Sequence, residues 1–209
     1  MTRRILLVAL LAAAAARGQT VNCVAAVVNG EIITRLDVEI AAAFGLGRGP
    51  AVEEGSDPRL AALDALIDRR LVLDLAREAR GVGADELAAA LEDLRRELGE
   101  AAFTALLGRF GLRPRDLEPY LADRVLCERA LALRFSQSVP VSVTEVERHY
   151  RDIYAPERAR LGLEAEPLDR VSEAIEARIR DERRAMQMAE WVRGLRGRAD
   201  IQIRKDCLK

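Results

Sequence analysis

One histidine, His149, serves a chain of 209 residues. That scarcity removes every metal site or catalytic triad that needs a second imidazole, and a lone helical histidine reads first as an exposed surface residue. Cysteine is nearly as rare: Cys23, Cys127 and Cys207 stand too far apart for a pair at metal-ligand spacing. Aromatic residues make up only 4% of the chain, and the formal net charge is -1, so no basic stripe points to nucleic acid. The glycines mark helix ends and form no phosphate-cradling loop. Glu86, Glu92, Asp93 and Glu97 remain as acid–base candidates, but they read as a solvated helix face alternating with Arg, with no cleft indicated. The expectation is a protein with no catalytic residue, no metal and no cofactor.

Alanine, leucine and arginine take the place of what is missing. They lose little conformational freedom in helices, so the composition favours a mainly α fold. The first stretch, MTRRILLVALLAAAAARGQT, has the parts of an export signal: a basic start at Arg3 and Arg4, an apolar run from Ile5 to Ala16, and small residues suited to cleavage. The run is shorter than the roughly 20 residues a spanning helix needs. Residues 1–18 are therefore expected to be a signal peptide, with 19–209 folding as a single soluble domain in the periplasm.

VAAVVNGEIIT, residues 24–34, reads as a hairpin. Asn29-Gly30 suits a type I′ turn, which sets Val28 opposite Glu31, Val27 opposite Ile32 and Ala26 opposite Ile33. Thr34 with Asp37 forms a capping box for a helix to about Phe44, followed by a loop through Glu53-Glu54-Gly55 that is expected to be mobile. Pro58 opens a helix whose Leu60, Leu63, Ile67, Leu71 and Leu75 form one apolar stripe. Further helices begin at Asp85, near Ala101 and at Pro114, so 56–137 forms a compact helical core with short turns. Thr144 and Glu147 predict a capped helix over 144–154. A long helix over 167–197 carries Trp191, expected to pack the bundle against a small sheet.

ADIQIR, within a strand expected over 199–204, alternates with the period of a half-buried strand. A lone hairpin is marginal in water, and this segment is its natural third strand. Antiparallel pairing of the two would bring Cys23 and Cys207 to one end of the ladder. Their bridge would close a loop of roughly 180 residues. The alternative is two unpaired thiols on frayed termini, and Cys127 is expected to be a small buried hydrophobe.

V-N-G-E-I-I-T before a capped helix resembles the start of SurA-like chaperones, exported proteins related to PrsA foldases and more distantly to the peptide-binding part of trigger factor. ALDALIDRRLVLDLARE is similar to that family's helix after the hairpin. VSVTEVERHY is similar to its post-bundle helix, and EWVRGLRGRADIQI to its closing helix and strand. Family members commonly carry parvulin isomerase domains between the last two segments. Here only Ala155 to Glu166 lies between them, too few residues for such a domain.

The resemblance implies a helical module with a small antiparallel sheet joining the N-terminal hairpin and the C-terminal strand. It also implies an ATP-independent holdase that binds unfolded outer-membrane or secreted polypeptides, with no nucleic-acid partner. Holding such clients calls for exposed apolar surface. The candidates are Phe103, Leu107 and Phe110 on the most apolar short helix, with Tyr150 and Tyr154 on the post-bundle helix. An ordinary core role for Phe103, Leu107 and Phe110 is the competing reading. Three alternatives stay open: a prolyl isomerase acting without the insert, a periplasmic subunit that binds one folded partner, and a homodimer built on an apolar face or a swapped hairpin.

Overall fold

A computed structural model of the chain describes residues 22–46, 57–76, 81–136 and 140–208. The expected signal peptide and the loop through Glu53-Glu54-Gly55 lie outside them. The sheet starts from the hairpin. Asn29 and Gly30 both take positive φ, at 50° and 86°, which lets the strands reverse in two residues. β1 (Val24–Val28) and β2 (Glu31–Thr34) pair in the expected register, Ala26 with Ile33, Val27 with Ile32 and Val28 with Glu31.

The third strand comes from the other end of the chain. β3 (Ile201–Ile203) runs antiparallel to β1, with Ala26 opposite Ile203 and Val28 opposite Ile201, giving the order β2-β1-β3. Asn29 also secures the junction: its backbone N–H donates to the Asp200 carbonyl at 2.9 Å, and its side-chain oxygen accepts from the Asp200 N–H at 3.1 Å. Its amide nitrogen donates to Asp74 at 2.7 Å, which ties the turn to the helical layer. Just beyond the ladder, Cys23 and Cys207 form a disulfide with Cα atoms 6.0 Å apart.

Thr34 ends β2 and caps α1 (Arg35–Ala43) through the expected box with Asp37. The same Asp37 accepts from the Tyr120 hydroxyl at 2.7 Å, joining α1 to the later helix that carries Tyr120. α2 (Pro58–Leu75), capped by Asp57, runs through the middle and buries Ala62, Leu63, Leu66, Ile67, Leu71 and Val72. Leu75, the last residue of its expected stripe, is exposed. α3 (Ala84–Leu98), α4 (Glu100–Phe110) and α5 (Glu118–Arg134) complete the bundle, with a 3-10 turn at Pro114–Leu117 before α5. Gly99 links α3 directly to α4 at φ 79°, a conformation that L side chains rarely adopt. The core gathers Ala26, Val28, Val38, Ile40, Phe44, Ile67, Leu94, Phe103, Leu117 and Leu121.

The next helix, α6 (Val143–His149), begins on a different cap from the expected one. Ser142 with Glu145 forms the box, in place of Thr144 with Glu147. Both pairs have the right spacing, but Arg183 from a distant helix pairs with Glu145 and favours the earlier start. The helix also runs past 154, through a π-helical turn at Tyr150–Tyr154 into α7 (Ala155–Arg160). Pro156 has no N–H to donate, and its ring would meet the Asp152 carbonyl in a regular α-helix; the wider turn before it relieves that conflict.

α8 (Leu168–Arg196) then spans both parts of the molecule. Its first half buries Val171, Ile175 and Ile179 against Val146 in a small second cluster. Its last turns place Trp191, Val192 and Leu195 on the main core. Trp191 meets Phe135 edge-on at 5.7 Å, at the end of α5, with the Arg134 guanidinium over its ring. Arg196 locks the end of α8 to α2 through Asp68 at 2.5 Å and Asp64 at 3.1 Å. No helix among the described residues is long and apolar enough to cross a membrane.

Reducing the disulfide should lower the free energy of unfolding by about 2–5 kcal/mol, since it closes most of the chain into one loop. Urea unfolding followed by circular dichroism, with and without dithiothreitol, measures this. Coincident curves would contradict it.

Candidate binding groove

The expected client-binding residues divide between two places. Phe103 is 1% exposed and packs edge-on against Phe44 at 6.1 Å, so it belongs to the core and not to a contact surface. Phe110 leans on the same Phe44 at 6.2 Å, and Leu107 is half-buried beside them. The most apolar short helix is thus apolar because it fills the bundle. Sequence could not separate the two roles, since both need the same residues.

Tyr150 and Tyr154 lie in the second cluster, stacked at 5.4 Å. Their hydroxyls reach Glu166: Tyr150 donates to its backbone carbonyl at 2.7 Å, and Tyr154 to its carboxylate at 3.5 Å. They pin the turn between α7 and α8, so their polar ends are engaged within the chain.

His149 departs from the expectation of a surface histidine. It follows Val146 by three residues, so the two share one face of α6, and that face is turned inward. Only 7% of the residue is exposed. Neither ring nitrogen has a hydrogen-bond partner among the described residues.

The acidic residues on α3 differ from expectation in the opposite sense. A groove of about 530 Å³ opens between α3 and α5. Ala89 and Ala90 on α3 and Leu121 and Val125 on α5 form its apolar lining. It exists because the two alanines are too small to fill the space between the helices. Glu86, Asp93 and Glu97 lie along it with Arg96, Arg124 and Glu128, whereas Glu92 does not. A cleft is therefore present where the sequence suggested only a solvated face.

Its charges are partly tied together. Arg129 donates to both oxygens of Glu86, at 2.6 and 2.8 Å, and this holds the Glu86 carboxyl below its ordinary range. Arg96 pairs with Asp93 at 2.8 Å. Arg124 donates to Glu128 at 2.8 Å, which raises the guanidinium pKa, and stands 3.9 Å from Glu97 across the groove. Such an arrangement can hold a polar-edged apolar segment. Its lining has no hydroxyl, thiol, amine or imidazole, and no group of residues that could hold a metal ion occurs among the described residues. Cys127 is the free thiol, half-buried, with its pKa pushed up to about 11 by burial.

Neither protein-family models nor curated proteins gave a match to the chain.

The cap of α6 carries a pH dependence. Hydrogen bonds from the Ser142 backbone and side chain, with Arg183 beside them, hold the Glu145 carboxyl down at about 2 from an ordinary 4.5. A carboxyl depressed on folding stabilises fully above its unfolded value, and that contribution is lost as pH falls from about 4.5 to about 2. Thermal unfolding across this window should show Glu145→Gln losing less stability than the unaltered chain. Parallel pH curves for the two would contradict the assignment.

Proposed function

We propose that the protein is an exported, ATP-independent holdase of the SurA type, acting in the periplasm on unfolded outer-membrane or secreted polypeptides. The observation that carries this reading is the seating of β3 on β1, which matches the hairpin-and-closing-strand arrangement that the resemblance implies. The Cys23–Cys207 disulfide supports it, because such bonds persist in oxidising compartments. Exposed apolar side chains support it as well: Leu133 is 78% exposed, Leu161 72% and Met186 64%. The connection between α7 and α8 is only residues 161–167, which leaves no room for an isomerase domain.

The test is dilution of an unfolded outer-membrane β-barrel protein from urea into buffer containing the chain, without ATP. Light scattering should fall in proportion to the chain added, and a proline-limited refolding reaction run beside it should not accelerate. Unchanged scattering would overturn the reading. A clear acceleration of refolding would favour an isomerase instead.

A further inference from the structure

The α3–α5 groove has a chemistry that a general apolar surface lacks. Its lining residues carry four carboxylates, Glu86, Asp93, Glu97 and Glu128, against two guanidiniums, Arg96 and Arg124, and Arg129 beside the lining holds Glu86. Arg124 serves carboxylates on both walls, bonded to Glu128 at 2.8 Å but 3.9 Å from Glu97. The second separation is beyond hydrogen-bonding distance. Among the described residues Glu97 is thus held by charge alone, whereas Glu86 and Asp93 on the same wall are each bonded to an arginine. From Glu86 to Glu97 the groove follows α3 for about 17 Å. That is the length of about five residues of extended chain.

We infer that the groove selects extended client segments that are both apolar and cationic. Small apolar side chains rest on Ala89, Ala90 and Val125, above the buried Leu121, and a Lys or Arg of the client donates to Glu97. This names the client chemistry of the holdase reading and rests on that reading. An acidic segment would bring further negative charge against the same carboxylates and be rejected.

The test uses fluorescence anisotropy of two labelled peptides with one apolar frame, Lys at alternate positions in one and Glu in the other. The Lys peptide should bind about tenfold more tightly, with the difference shrinking as salt screens the rim. Glu97→Gln, at an exposed position where the fold is not at risk, should weaken the Lys peptide about two- to fivefold. Ala89→Trp should fill the groove and weaken both peptides, while Glu173→Gln on the far helix should change neither. Equal binding of the two peptides, or Lys-peptide binding untouched by both groove variants, overturns the inference. If the same preparation still suppresses aggregation, the holdase reading survives that result. Loss of peptide binding and of aggregation suppression together overturns both.

Discussion

The pairing of β3 with β1 is the constraint on which the rest of the molecule depends. A two-stranded ribbon would be marginal alone, and three residues of β3 could not hold a chain end by themselves. Each makes the other viable. Asn29 adds backbone and side-chain bonds to Asp200 at one end of the ladder, and the disulfide closes the other. The long helical excursion between them begins and ends at the same sheet.

α8 carries the consequence outward. Its last turns are held by Arg196 on Asp64 and Asp68 of α2 and by Trp191 on Phe135. Its first turns are free to build a second cluster with α6 and the turn that follows it, using Val171, Ile175 and Ile179. Burial raises the Asp68 pKa despite the Arg196 guanidinium beside it, while Asp68 and Asp64 raise the Arg196 pKa against that residue's own burial; the pair fixes where the end of α8 sits on α2. The groove has a simpler origin. Two alanines on α3 face Leu121 and Val125, and what they fail to fill stays open.

Local chemistry was legible in the sequence wherever partners lie within a few residues. The Asn29-Gly30 turn dictates the hairpin register, and Thr34 with Asp37 dictates the start of α1. The third strand was legible too, because alternation in ADIQIR and an unpaired hairpin each required a partner. Where two local solutions were equal, as with the caps at Ser142 and Thr144, a distant arginine chose between them.

By itself, then, the sequence determined a mainly helical chain, its turns and most of its caps, since these follow from short-range sterics and hydrogen bonding; it pointed to the meeting of its two ends because two strand-like segments each lacked a partner. Only the tertiary structure decided that Phe103 is core, that His149 is buried and that Glu86, Asp93 and Glu97 border a groove. Each of those depends on which helix face meets which neighbour. Apolar periodicity marks a face as buried or exposed, but it does not say what lies opposite.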